Sequence, residues 1–322
     1  MATVVLVHGI AQEHNGPATL EQQWLPALAD GVSKFGVDAL AKRLWSGGHG
    51  DINVRMAYYG GTFIQPGAQG GTGDIDYDIS PLSNDLNELR ERLAEAWLET
   101  AAKYASDPSD RRQAERDLAI VRNQVGRSMG VRAALGRPTI NALARLRWFA
   151  PFGMAVARTF VWRALTQATL YLGDENIRAY AQQQVLKEVQ PETRLIIGHS
   201  LGSVVAYEAM HRALDGGNLS AKGTVTLITL GSPLGLRGVV YEHLRPKPPG
   251  VPPTANRWAN FAAKDDLVAT QLDLALLFPP ANDKTVKVER HIINNGSQPH
   301  SCVHYLTNPA VGRVVVDSLA GI

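Results

Sequence analysis

One cysteine, Cys302, is all that a chain of 322 residues contains. That excludes an intramolecular disulfide framework and fits a reducing compartment. An excess of charge of either sign is also missing: 32 Lys and Arg stand against 30 Asp and Glu, a formal net charge of +2. Such a balance implies no polyanion or membrane-surface partner, so no nucleic acid is expected. No uncharged apolar run reaches spanning length. The most apolar long segment, Trp148 to Leu172, carries Arg158 and Arg163 in its middle, and an integral membrane segment is not expected. The opening Met1-Ala2-Thr3-Val4-Val5-Leu6-Val7-His8-Gly9 lacks a basic region and a cleavage-site pattern. It reads as a first strand instead of a signal peptide, which points to a cytoplasmic chain. The nine histidines are scattered without metal-ligand spacing, and neither G-x-x-x-x-G-K-[ST] nor a strand-linked G-x-G-x-x-G occurs. No metal, nucleotide or other cofactor is therefore expected. Internal repeats and low-complexity tracts are absent as well.

What the chain does have is apolar bulk. Hydrophobic residues make up 45% of it and charged residues 19%, enough for one large α/β core or two small domains. Apolar, β-branched runs at Thr3–Val7, Ile52–Tyr58, Thr193–Gly198, Thr224–Leu230, Arg257–Ala262 and Val286–Ile293 read as strands. Helical periodicity marks Leu20–Phe35, Leu82–Tyr104, Arg111–Val125, a stretch from Pro138 to Leu172 broken near Pro151, a helix capped by Asp174, then Gly202–Leu214 and Val311–Leu319. Gly60–Gly73 and the Pro-rich Arg245–Pro253 read as loops. Strands alternating with helices predict a doubly wound, mostly parallel sheet. An all-helical stretch at about 82–172 interrupts that alternation and reads as an inserted cap in a single domain spanning 1–322.

The sharpest local signal is Leu195-Ile196-Ile197-Gly198-His199-Ser200-Leu201-Gly202-Ser203. A strand-length apolar run ends in G-H-S-L-G, and a small-residue helix start follows. This matches the G-x-S-x-G pattern of a nucleophile elbow, in the strand–turn–helix context that such an elbow requires. The bland alternative is a Gly-rich turn with an ordinary N-cap serine. A serine hydroxyl becomes a nucleophile only when a base takes its proton and a third group fixes the tautomer of that base. Downstream of Ser200, Asp265 and Asp266 follow the strand Arg257–Ala262, and His300 and His304 follow Val286–Ile293. Both pairs lie at carboxyl ends of strands, where such folds place their sites. Pattern alone leaves Asp265 and Asp266 even. Cys302, two residues from His300, reads as a packed thiol, and Ser232 in Gly231-Ser232-Pro233 as a strand-end turn. The aromatic run from Leu146 through Trp148, Phe149 and Phe152 to Phe160 and Trp162 is either packing for the insert or a lid over Ser200.

The chain resembles a group of bacterial α/β-hydrolases, many described only as hydrolase or serine peptidase. The resemblance lies in Val5-Leu6-Val7-His8-Gly9-Ile10, Tyr171-Leu172-Gly173-Asp174, Gly198 to Glu208 and Leu230-Gly231-Ser232-Pro233-Leu234. It continues in Trp258-Ala259-Asn260 through Val268-Ala269 and in His300 through Thr307. It covers nearly the whole chain outside the helical stretch and implies the α/β-hydrolase fold. In similar sequences the triad Asp directly precedes an apolar-apolar-Ala stretch, which implies Asp266, ahead of Leu267-Val268-Ala269. The triad His precedes a Tyr-Leu pair by five residues, which implies His300, with His304 as the alternate. By the same resemblance the oxyanion hole is built from the N–H groups of Leu201 and Ile10, and His8 orients the loop that carries Ile10. The expectation is then a serine hydrolase acting on carboxylic esters, with a small-molecule or lipid-like acyl substrate. A lipase or phospholipase, an amidase or peptidase, and a non-catalytic binding protein on a hydrolase fold stand as alternatives.

Overall fold

β1 (Val4–Val7), β3 (Leu195–His199) and β4 (Val225–Leu230) are buried at every position. Strands apolar toward both sides suit a parallel sheet covered by helices on each face. Together with β2 (Val54–Ala57), β5 (Ala255–Ala263) and β6 (Val288–Ile293), they form one six-stranded, all-parallel sheet in the order β2-β1-β3-β4-β5-β6. The computed structural model describes residues 3–45, 52–64, 82–125, 136–146, 154–215, 219, 225–269, 271–280 and 286–320.

Along the chain the helices are α1 (Pro17–Phe35), α2 (Asp38–Trp45), α3 (Asn84–Tyr104), α4 (Pro108–Val125), α5 (Gly136–Ala144), α6 (Met154–Gly173), α7 (Glu175–Glu188), α8 (Leu201–Asp215), α9 (Cys302–Leu306) and α10 (Pro309–Leu319). Because side chains alternate along a strand, β1 supplies both cores. Val4 and Leu6 join Leu195 and Ile197 under α1, α2, α9 and α10. Val5 and Val7 join Ile196 on the other face, which α7 and α8 cover. Helices α3 to α6 pack on one another, and α6 leads into α7. Asp174 caps α7 by accepting the N–H groups of Asn176 and Ile177 at 2.8 and 3.1 Å.

Two helices had no signal in the sequence. α2 follows closely on the left-handed Gly36 that ends α1, and α9 has only five residues; neither is long enough to display a clear period. Of the expected Gly-rich loop, Gly60–Phe63 forms a 3-10 turn, and 65–73 lie outside the described residues. So do 147–153, which carry Trp148, Phe149 and Phe152 of the aromatic run. Trp162 in α6 packs beneath the Arg90 guanidinium of α3, 4.1 Å from its ring centre. Among the described residues no helix is long and apolar enough to cross a membrane.

Candidate active site

The strand order reverses between β1 and β3. At such a switch point the loops leaving the two strands part in opposite directions and open a crevice at the carboxyl ends. Ser200, directly after β3, sits in this crevice, 4% exposed. Its φ of 54° places a non-glycine residue in the left-handed region, a strained conformation for any L side chain. The turn is held by hydrogen bonds: Ser200 N–H donates to the Leu230 carbonyl (2.9 Å), and the Ser203 N–H and Oγ both donate to the Ser200 carbonyl (3.0 and 2.6 Å). The flanking glycines are required by close backbone approach. A Cβ on Gly198 would lie 2.7 Å from the Gly202 carbonyl oxygen, and one on Gly202 would lie 2.2 Å from that of His8. Leu201 is the first residue of α8, so its N–H has no acceptor within the helix.

The loop after β1 lies against this turn: a Cβ on Gly9 would come within 2.9 Å of the Ser200 Cβ. His8 is buried and stacked on Tyr59, ring centres 4.1 Å apart. Its Nε2 accepts the Tyr59 N–H (3.1 Å), so Nδ1 carries the proton and donates to the Gly9 carbonyl (2.7 Å). A trans peptide points its N–H opposite to its C=O. Fixing the Gly9 carbonyl on His8 therefore turns the Ile10 N–H to the other side. Ile10 itself lines the pocket beside Ser200 and Leu201.

Asp266 and His300 follow the neighbouring strands β5 and β6 and meet there. His300 Nδ1 lies 2.8 Å from Asp266 Oδ2 and 3.0 Å from Oδ1. An ionised carboxylate only accepts, so Nδ1 carries the proton. Asp266 also accepts the Tyr305 hydroxyl (2.7 Å) and the Val268 N–H (3.0 Å). Burial pushes this carboxyl up, but the charge available on His300 and these donors together outweigh it and hold Asp266 below its ordinary value. Gly231 makes room for the pair: at φ 56°, a Cβ there would lie 2.8 Å from Asp266 Oδ2 and 3.0 Å from His300 Nδ1.

The other candidates stand apart from this pair. Asp265 is half-buried and takes no part in it. His304 donates through Nδ1 to the Asn295 carbonyl at 2.9 Å. Burial pushes the Cys302 thiol well above its ordinary value, so it is a poor source of thiolate. The Ser232 hydroxyl donates to Ser203 Oγ, 2.6 Å away, and its oxygen caps a 3-10 turn. Among the described residues no group of three or more His, Cys, Asp or Glu could hold a metal ion.

Two contributors were missed in the sequence. Tyr305 served there only as a landmark, yet its hydroxyl bridges Asp266 and the Ala263 N–H (2.7 Å). His199 fills the variable position of G-x-S-x-G. Its Nε2 donates to the His300 backbone carbonyl (3.0 Å), and its ring lies 4.7 Å from that of His300. No local pattern identifies either role, because the partners lie 39 and 101 residues away.

A pocket opens from Ser200. Its walls are Ile10 and Leu201, Leu93 and Trp97 of α3, Ala164, Leu165, Ala168 and Leu172 of α6, Pro233, Leu236 and Val240 after β4, and Leu267 and Val268 beside Asp266. It holds about 610 Å³ of non-atom space, its mouth included. Among the described residues of that lining, Ser200 bears the one hydroxyl, and the Trp97 indole N–H is the other polar side-chain group.

The two buried histidines make stability depend on acid. Burial pushes His8 down to about 4 and His199 to about 3, from 6.5. As pH falls below 6.5 the unfolded chain takes up these protons and the folded chain does not, so stability must fall between about pH 6.5 and 4. His8 alone accounts for about 3 kcal/mol over that window. Urea midpoints at pH 7 and 4.5 measure it, and midpoints that stay level would refute it.

Comparison with protein-family models, with curated proteins and with solved structures finds no match to this chain.

Proposed function

We propose that this chain is a serine hydrolase of the α/β-hydrolase fold that cleaves carboxylic esters bearing an apolar acyl group. One juxtaposition carries the reading: Ser200, in a left-handed turn, bears the one hydroxyl among the described residues of a largely apolar pocket, and a hydrogen-bonded Asp266–His300 pair stands at the ends of nearby parallel strands. In this reading His300 Nε2 takes the Ser200 proton as Oγ attacks the ester carbonyl carbon. The carbonyl electron pair moves to oxygen, where the Ile10 and Leu201 N–H groups receive it. Collapse expels the alcohol, protonated by His300. Water then repeats the sequence on the acyl-enzyme, and the carboxylic acid leaves. Asp266 keeps His300 in the reactive tautomer and stabilises its charged form.

Helices α3 to α6 read as an insert in a single domain, with α3 and α6 forming the acyl wall. A largely apolar wall favours an uncharged acyl chain over a peptide, whose backbone N–H and C=O groups need partners, so we rank esters above amides. A lipid-like acyl donor fits the same wall. The single cysteine suits a reducing compartment, and we assign the chain to the cytoplasm.

A fluorophosphonate probe tests the reading directly: folded wild type should label stoichiometrically at Ser200, and labelling that fails, or that survives Ser200→Ala, would sink it. The acyl wall has its own test. Ala168→Phe should lower kcat/KM for a p-nitrophenyl decanoate by about tenfold or more while leaving the acetate within about twofold. Equal losses on both esters would place the acyl chain elsewhere.

A further inference from the structure

We propose that Gln167 is a positioning residue for the oxyanion donor, so that α6 braces the loop after β1 as well as walling the pocket. The inference rests on the serine-hydrolase reading above. Gln167 sits on α6 among Ala164, Leu165 and Ala168, which face the pocket, and is 5% exposed. A buried amide must place both its donor and its acceptor. Gln167 places them on the loop that carries Ile10. Its Oε1 accepts the Ala11 N–H at 2.9 Å, and its Nε2 donates to Glu13 Oε2 at 2.9 Å. Glu13 is 6% exposed, and its other oxygen lies 3.4 Å from Arg163 Nη1, one helical turn before Gln167.

Ala11 is strained. Its φ of 58° is left-handed, and a non-glycine residue stays there only where its surroundings fix it. Among the described residues Ser200 is the other such non-glycine residue, so both lie at this site. The peptide linking Ile10 to Ala11 is clamped at both edges: Gln12 Nε2 donates to the Ile10 carbonyl at 3.2 Å, and Gln167 takes the Ala11 N–H. The preceding peptide is fixed at the Gly9 carbonyl by His8. Ile10 is thus held from both sides, and its N–H direction is set by His8 at one end and Gln167 at the other. Removing the Gln167 contact frees the Ile10–Ala11 peptide to relax from its left-handed turn and carries the Ile10 N–H out of line.

A donor aimed at the developing oxyanion acts in the transition state and little in the ground state. Gln167→Met keeps side-chain length and deletes both hydrogen bonds. It should lower kcat on a p-nitrophenyl ester by about tenfold to a hundredfold, with KM within about twofold. A trifluoromethyl ketone reports the same step. Ser200 Oγ bonds to its carbonyl carbon, the carbonyl electron pair goes to oxygen, and the Ser200 proton passes to His300. Its affinity should fall in parallel with kcat, while that of the matching methyl ketone, which forms no stable adduct, should not change.

The swap Gln167→Glu with Glu13→Gln rebuilds both contacts with one donor and acceptor exchanged. It should restore kcat to within about threefold of wild type, which a generic packing defect would not predict. A folded Gln167→Met with wild-type kcat, a parallel loss of methyl-ketone affinity, or a swap that stays as slow as Gln167→Met overturns the inference. Should Gln167→Met not fold, the swap decides alone: recovery supports it and a folded, slow swap overturns it. Wild type that neither labels with fluorophosphonate nor hydrolyses esters removes the hydrolase reading itself. An active wild type with an unaffected Gln167→Met removes this inference only.

Discussion

Replacing Ser200 with alanine is expected to lower kcat on an apolar ester by about 10⁵- to 10⁶-fold, and replacing it with glycine by as much. Both variants delete the oxygen proposed to attack. They are expected to part company in stability. Ser200 is held at φ 54° by backbone hydrogen bonds to Leu230 and Ser203 and by the approach of Gly9. Alanine inherits the left-handed penalty that its Cβ creates, whereas glycine does not. Ser200→Gly should therefore be more stable than Ser200→Ala by about 1 kcal/mol. Ester kinetics and urea midpoints on the same preparations check both halves. If alanine equals or exceeds glycine in stability, the strain assigned to the turn is not there; if alanine keeps activity, the nucleophile is another residue.

This site is legible in the sequence where its signals are local. β1 and β3 are announced by β-branched and apolar runs, and Gly198 and Gly202 by the spacing around Ser200. The structure supplies the steric reason for those two glycines in the contacts that a Cβ would make. The order of Ser200, Asp266 and His300 along the chain is also readable in sequence, because parallel strands bring their carboxyl ends to one edge. Distant pairings are what stay hidden. Gln167 looks like a stray polar residue in an apolar helix, and only folding brings it to Ala11, 156 positions earlier. The pocket wall is similar: Leu93 and Ala164 carry no mark of a shared cavity until α3 and α6 pack. Tyr171 and Glu208 lie far apart in sequence, yet the Tyr171 hydroxyl donates to the buried Glu208 carboxylate at 2.6 Å, joining α6 to α8.

The choice between Asp265 and Asp266 shows the same limit at its narrowest, since one position along the chain decides which carboxylate is buried. After β5 the turn is fixed by Lys264 N–H donating to the Ile293 carbonyl and Asp266 N–H to that of Ala263, both at 3.0 Å. That turn leaves Asp265 half-buried and brings Asp266 under His300, Tyr305 and Val268. Asp266→Asn should then lower kcat by about 10⁴-fold. An amide offers one oxygen to three donors, and its NH₂ group toward His300 favours the tautomer with the proton on Nε2, which cannot accept from Ser200. Asp265→Asn should stay within about twofold of wild type. Asp266 is held below its ordinary value of 3.8, so its charged form stabilises the fold above that pH. The stabilisation is lost as pH falls toward the lowered value. Asp266→Asn should accordingly flatten the stability profile below about pH 4. Steady-state kinetics ranks the two substitutions, acid titration of the urea midpoint checks the Asp266→Asn profile, and a larger kcat loss in Asp265→Asn would move the proposed acid one position back.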